Sequence, residues 1–389
     1  MADKADTALF KQVYPELDLL RSTAILLVML VHFARRVYVL PEESWLGHFA
    51  SWGWNGVGLF FVLSGFLIGG QIIEQTRRNT FSFKRFYTRR FFRIFPPYYF
   101  SLLVVAALFF LGLADTNVVG KSTDTGKLLT DLVYHLFYLQ NYISLHRLQS
   151  GLYWSLAIEE QFYILIPFVL FFLLRYKRGW LVKGLVALIL VAFLLRIAHY
   201  TGLLPYIPDT KSWNLGIRFP LHTRFDSLIS GVLTAWLFIR YNDCLRRISA
   251  SKRALLFLFP VLTLAASILY GNDSNSYFNT CWQFTVVNFG FSALILLLIT
   301  SPFGSYLKGF FRECIGRIAR LSYTMYLYHL ILLFPVAKLL KWLHLTESVS
   351  SVKFLIAFGV YFLCVSFVSS LVYRLIDAPF MRYRAKISS

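Results

Sequence analysis

The chain has 389 residues, of which 57% are apolar and only 15% charged, against about 25% charged in an ordinary soluble domain. That composition rules out intrinsic disorder, which needs low hydrophobicity, and argues against a soluble multi-domain enzyme, whose water-facing surface could not be built from so few charges. The formal net charge is +20, from 39 Lys and Arg against 19 Asp and Glu, and it admits either a nucleic-acid partner or a polytopic membrane protein with basic cytoplasmic loops.

A membrane helix needs roughly 20 mostly apolar residues. Ten segments meet that need: 18–37, 54–73, 94–114, 152–174, 180–199, 220–239, 254–271, 282–301, 321–340 and 352–376. Segment 132–147 is aromatic but shorter, and it holds His135, Gln140 and Asn141. It reads as an interfacial or re-entrant helix. The gaps leave no room for a second soluble domain. The expected fold is all-α, a polytopic integral membrane protein of about ten transmembrane helices, with a segment 1–17, a membrane domain 18–376 and a tail 377–389.

With the N-terminus placed in the cytoplasm, 26 basic residues fall on the inner side and 12 on the outer. That bias favours both termini inside. No basic stripe lies on a soluble face, so no nucleic-acid partner is expected. Met1–Glu16 lacks the basic start and small-residue cleavage site of a secretory signal, and the first span is expected to be retained. The four cysteines, Cys244, Cys281, Cys314 and Cys364, form no CxxC pair. Neither a disulfide framework nor a metal site is expected.

Ionisable residues inside spans are costly and are functional candidates by default. The first span carries Asp18, Arg21 and His32. At about 100° per residue the eleven-residue step from Arg21 to His32 closes to within about 20° of full turns and rises roughly 16.5 Å. Both side chains therefore share one stripe, with Asp18 one turn before Arg21. An interfacial Asp–Arg pair plus a hydrogen-bonded core histidine would satisfy the same spacing. In the second span the run from Gly56 to Gly70 is rich in glycine, but no Walker lysine follows it. Small residues there let helices approach closely.

Between the second and third spans lies a basic hairpin of Lys84, Arg85, Arg89, Arg90 and Arg93, leading into Pro96 and Pro97. Arg90 and Arg93 are one turn apart and could act together on one anion, since guanidinium forks suit phosphate. Positive-inside anchoring or lipid head-group contact is the plainer account. Glu159 and Glu160 open an otherwise apolar span after Trp154-Ser155-Leu156. About 100° separates them, so at most one faces a common centre. They suit either a helix N-terminus or the orientation of an imidazole or sugar hydroxyl. Arg224 and Asp226 enter the sixth span close together, as a local ion pair would. The ninth span carries a polar stripe from Ser322 to His329, where the histidine alone would be an ordinary core residue.

Taken together these motifs resemble the acyltransferase-3 family of integral-membrane O-acyltransferases, which acylate bacterial surface sugars and some secreted glycosides. The matching stretches run in the family's order: LDLLRSTAILLVMLVHF, GVGLFFVLSGFLI, FYTRRFFRIFPPYY, LYWSLAIEEQFYILIP, TRFDSLISGVLTA, LSYTMYLYHLILL and the closing Ile376-Asp377-Ala378-Pro379-Phe380. By that resemblance the family's Arg–x10–His pair falls on Arg21 and His32, and its RxxR on Arg90 and Arg93. Its WSLxxE carboxylate falls on Glu159, with Glu160 beside it. Its sixth-span Arg and Asp fall on Arg224 and Asp226, and its ninth-span His on His329. The chain departs from the family at Gly58, where relatives often have an acidic residue in a GVDLFF-like motif. It resembles the stand-alone form without an appended hydrolase-like domain.

The resemblance implies that 18–376 is a membrane acyltransferase domain of the inner (cytoplasmic) membrane. The donor would be an acyl-CoA, most simply acetyl-CoA, used as co-substrate with no permanently bound cofactor. The acceptor would be a carbohydrate or glycoside hydroxyl. Arg21, Arg90 and Arg93 would hold the anionic donor. His32 would act as base, a task its near-neutral reference pKa suits, with Glu159 orienting the imidazole or the acceptor. Asp18, Glu160, Arg224, Asp226 and His329 would support substrate or structure. Trp45, Trp154 and Trp213 could stack on a sugar or anchor the interface. The rival class is a transporter using buried Arg, His and Glu, but the chain shows no repeated half or paired broken helices.

Overall fold

The computed structural model describes residues 9–11, 13–41, 44–111, 125–142, 150–205, 213–270, 276–346 and 350–387. Every regular element among them is helical. In chain order the longer helices are α1 (Pro15–Arg36), α2 (Trp45–Trp52), α3 (Gly56–Arg77), α4 (Phe83–Phe110), α5 (Thr125–Leu136), α6 (Ser150–Tyr176), α7 (Leu181–Tyr200), α8 (Leu221–Arg246), α9 (Ala250–Tyr270), α10 (Gln283–Ile299), α11 (Gly309–Trp342), α12 (Ser351–Val372) and α13 (Ala378–Ile387).

Nine helical stretches among the described residues are long and apolar enough to cross a membrane, and they coincide with nine of the ten predicted spans. The tenth, expected at 220–239, is α8, a helix of 26 residues. Its length suffices, but Arg224, Asp226, Ser227 and Ser230 on its buried face lower its hydropathy. Apolar faces left uncovered by protein confirm the membrane reading. Leu255, Leu258, Phe259, Val261 and Leu262 of α9 and Leu190, Val191 and Leu194 of α7 are all exposed. In water, contiguous faces of this kind mark interfaces or aggregation; here they meet hydrocarbon.

Three boundaries differ from expectation. First, α4 starts at Phe83, where the Ser82 hydroxyl accepts the Arg85 N–H at 3.3 Å. The expected basic hairpin is therefore helical, and Arg90 and Arg93 lie one turn apart on it. Second, segment 132–147 contains the end of α5 and a short turn of 3₁₀ helix, Gln140–Tyr142, while 143–147 fall outside the described residues. Third, the expected tail from 377 is mostly helical. A π-helical turn, Tyr373–Asp377, joins α12 to α13, and α13 packs on α4 through Tyr383 and Phe380 against Phe92, with ring centroids 5.5 and 6.5 Å apart.

The helices form two compact units. The first comprises Met1–Arg21, Val57–Phe81 and Glu159–Gly316, the second Ser22–Gly56, Ser82–Ile158 and Arg317–Ser389. Within the first unit α3 and α8 meet backbone to backbone. A Cβ on Gly65 would lie 1.9 Å from the Leu228 carbonyl oxygen, and one on Gly231 would lie 2.1 Å from that of Val62. The glycines of the second span thus serve helix packing. A turn at Leu9–Lys11 is held to α3 by the Glu74 carboxylate, which accepts the Leu9 N–H at 2.7 Å. The Phe10 ring seats on Gly70 beside Phe66 and Phe238.

Within the second unit α1 packs on α12 through Phe33 stacked on Tyr361, with centroids 5.3 Å apart. Gly53 and Gly56 bring the start of α3 against the α1 carbonyls of Leu27 and Ala24. Around α5 several buried polar groups hydrogen-bond across elements. Tyr98 donates to the His135 carbonyl at 3.0 Å, Gln140 donates to the Tyr153 carbonyl at 2.9 Å, and Tyr138 stacks on Tyr98 at 4.5 Å.

Gly231→Ala forces α3 and α8 apart, and overpacking of this kind costs about 1–3 kcal/mol. Its melting temperature in detergent should fall by several degrees. Gly359→Ala, with nothing within 4 Å of the added methyl, should melt as the parent does. Equal melting of the two variants would contradict the close packing.

Candidate active site

The second unit brings together two of the histidines singled out by sequence. His32 of α1 and His329 of α11 have ring centroids 5.2 Å apart, tilted by 44°. His329 is fully buried, and its Nδ1 lies 2.8 Å from the Tyr326 carbonyl oxygen. A carbonyl can only accept, so Nδ1 carries a proton. The His329 Nε2 has no hydrogen-bond partner among the described residues. The His329 carbonyl in turn accepts the Tyr361 hydroxyl at 2.9 Å. Tyr326, one turn before His329, shares a short hydrogen bond with Ser155 of the Trp154-Ser155-Leu156 motif. His32 itself is half-buried. The arrangement is a buried imidazole, held at Nδ1 and at its own carbonyl, against a more accessible one.

The RxxR pair belongs to the same unit. Arg90 is half-buried, 5.9 Å from the Phe86 ring, and Arg93 is exposed. The Tyr323 hydroxyl donates to the Ile94 carbonyl at 3.1 Å, tying α11 to α4 beside Arg93. Thr324 donates to the Asp377 carboxylate at 2.6 Å, and Asp377 lies within electrostatic reach of Arg93. The closing Ile376-Asp377-Ala378-Pro379-Phe380 motif therefore steadies the RxxR helix.

The first unit holds the other candidates. Arg21 pairs with Asp18 at 3.3 Å, both half-buried, as their one-turn spacing predicts. Glu160 is buried and Glu159 half-buried on α6, in keeping with their divergent directions. A Cβ on Gly58 would touch nothing nearer than Phe291 at 3.9 Å, so helix packing at this position does not itself require glycine. Asp226 departs from expectation. Its close ion pair is with Arg196 of α7 at 2.9 Å, both side chains fully buried, and not with its helix neighbour Arg224. Arg224 is buried and lies over the Phe284 ring, 3.8 Å from its centroid.

Two further differences concern residues at span ends. Arg196 and Arg224 are among the 12 basic residues of the outer side, yet both are core residues with 0% and 1% exposure. Arg196 ends a predicted span, 180–199, and the rule that drew attention to Arg21 applies equally to it. Of the three tryptophans considered for sugar stacking, Trp154 and Trp213 are buried, and the Trp213 indole N–H donates to Thr280 at 3.2 Å. They are packing residues; Trp45 alone of the three is exposed. Sequence reasoning passed over Tyr361, whose only signal is a single hydroxyl in an apolar run.

Helices with broad uncovered apolar sides define a polytopic membrane protein, and each of its units buries ionisable side chains. A family model described as an acyltransferase domain matches residues 14–374. The chain belongs to this acyltransferase-3 family, which weighs against the transporter reading. Peptidoglycan O-acetyltransferase OatA of Listeria monocytogenes is 28% identical over 334 residues, covering 84% of this chain and 50% of the relative. O-acetyltransferase OatA of Staphylococcus aureus is 24% identical over 380 residues, covering 94% of this chain and 57% of the relative. The chain thus spans about half the length of the curated relatives it matches. No solved structure matches it.

Removing one partner of a buried ion pair leaves a charge uncompensated and costs about 3–5 kcal/mol. Asp226→Ala should therefore melt well below the parent in detergent. The double variant Arg196→Met with Asp226→Leu should recover part of that loss. A double variant as unstable as the two single changes added together would show that the pair is uncoupled.

Proposed function

We propose that the protein is an inner-membrane O-acyltransferase that moves an acetyl group from cytoplasmic acyl-CoA to a hydroxyl of a surface or exported glycan. Family membership and the O-acetyltransferase names of the relatives support the reaction class. The observation that carries the site is the His32–His329 pair. The charge bias of the loops supports both termini in the cytoplasm, the compartment of the donor.

In this reading His32 takes the proton of the acceptor hydroxyl as its oxygen attacks the thioester carbonyl. The C–O bond forms, the C–S bond breaks, and the leaving thiolate recovers the proton from the imidazolium. General-base assistance of this kind is worth about 10²–10⁴-fold. His329, held as its Nδ1–H tautomer by Tyr326, presents a lone pair that favours the imidazolium formed on its neighbour. Arg90 and Arg93 take phosphate groups of the donor, a role suited to guanidinium. Arg21, steadied by Asp18, holds a further phosphate or the pantetheine arm. Glu159 orients the imidazole or the acceptor.

Purified protein in detergent should transfer label from acetyl-CoA to a glycan acceptor. His32→Ala should abolish that transfer while inserting and expressing at the parent level; normal transfer by the variant would remove His32 from the chemistry. Arg90→Ala with Arg93→Ala should raise KM for acetyl-CoA about tenfold or more with little change in acceptor KM, since a charge-assisted contact is worth about 1.5–3 kcal/mol. Equal increases in both would point to a folding role.

A further inference from the structure

The charges around Asp226 do not balance. Arg196 is satisfied by protein alone. Its Nε donates to the Cys281 carbonyl at 3.2 Å, Nη1 to the Thr223 carbonyl at 2.6 Å and Nη2 to Thr285 at 2.7 Å, with Asp226 as counter-charge at 2.9 Å. Arg224 is different. It is electrostatically coupled to Asp226, already engaged by Arg196, and it is repelled by Arg196 and Arg218. Asp226 is the one carboxylate among the described residues that acts on it. Two fully buried guanidiniums, Arg196 and Arg224, thus share the single Asp226 carboxylate, and Arg218 adds a further positive charge that acts on Arg224. An uncompensated charge buried in the helical core costs several kcal/mol.

Hydrogen bonding points the same way. Arg224 Nε and Nη1 have no partner among the described residues, although the residue is only 1% exposed. The guanidinium lies over the Phe284 ring, 3.8 Å from its centroid, with the Phe61 ring at 5.8 Å. These rings place its carbon while Nε and Nη1 remain available. The packed helices α8 and α10 supply further buried groups without partners among the described residues: Ser227 and Ser230 on the first, Asn288 and Ser292 on the second. Their spacings of three and four residues place each pair on one helix face. In a membrane, such groups are tolerated where they line a polar site.

We infer that the first unit contains an oxyanion-binding site, built on Arg224 with Ser227, Ser230, Asn288 and Ser292, that takes a carboxylate or phosphate group of a substrate. Arg196 and Asp226 are its scaffold: they fix α7, α8 and α10 and leave Arg224 as the uncompensated cation. The assignment to a substrate rests on the acyltransferase reading; the binding itself does not.

The test is a thermal shift of the purified full chain in detergent, since a ligand that binds only the folded state raises Tm with concentration. The probes are D-glucuronate, D-glucose, inorganic phosphate and coenzyme A, with potassium chloride matched for ionic strength. At least one oxyanion probe should raise Tm where glucose and chloride do not. A response to glucuronate assigns the site to an anionic acceptor, and a response to coenzyme A assigns it to the donor. Phosphate responding without either leaves the shared oxyanion chemistry standing. Arg224→Gln should abolish the shift. Arg224→Lys, which keeps the charge if the glutamine variant does not fold, should need about tenfold more probe, because ammonium does not reproduce the planar guanidinium. No shift with any oxyanion, or an unchanged midpoint in the lysine variant, overturns the site. An oxyanion shift in a protein that transfers no acetyl label would instead retire the acyltransferase reading and leave the site in place.

Discussion

A guanidinium held away from water must find its partners inside the protein, and Arg196 shows how much structure that demands. Its donors reach carbonyls and a hydroxyl beyond its own helix, and its charge is met by Asp226. Satisfying one side chain therefore fixes α7 against α8 and α10. The hydrophobic effect cannot do this work between helices already surrounded by lipid tails, where packing and polar contacts take over. The glycine contacts of α3 with α8 supply the other half: they bring helices close enough for short polar side chains to matter.

The second unit meets the same constraint mainly through hydroxyls and carbonyls. The His329 Nδ1–H donates to the Tyr326 carbonyl, Tyr361 donates to the His329 carbonyl, Tyr326 shares a hydrogen bond with Ser155, and Tyr98 donates to the His135 carbonyl. The buried Asp377 carboxylate accepts from Thr324. Basic charge is gathered on α4, where Arg93 is exposed and Arg90 half-buried.

Much of the fold was legible because membrane helices obey a simple length rule. Nine of the ten expected spans reappear as apolar helices among the described residues, and the tenth, α8, escapes a composition test because its polar residues face the core. The helical start of α4 was hidden by its charge: a run of Lys and Arg reads as loop, although both residues are good helix formers. Among the candidate residues, the spacing of Asp18 and Arg21 predicted their contact. His32 and His329 are far apart in sequence, and only tertiary structure could pair their rings. Asp226 was matched to the nearest cation along the chain, whereas its partner lies on another helix. Sequence proximity is a poor guide to ion pairs once helices pack side by side.

Gly58 carries a consequence of its own. The position is buried, and a Cβ there would meet only Phe291, at 3.9 Å. Gly56 and Gly65 of the same helix face backbone carbonyl oxygens at 2.5 and 1.9 Å, and Gly69 and Gly70 face the Val232 and Phe10 side chains. A methyl is tolerated at Gly58 and crowded at those four, so a side chain can begin there without parting the helices. The desolvation of any charge it carried would still be costly, and that cost makes the position a point where members of one helix packing can diverge in chemistry.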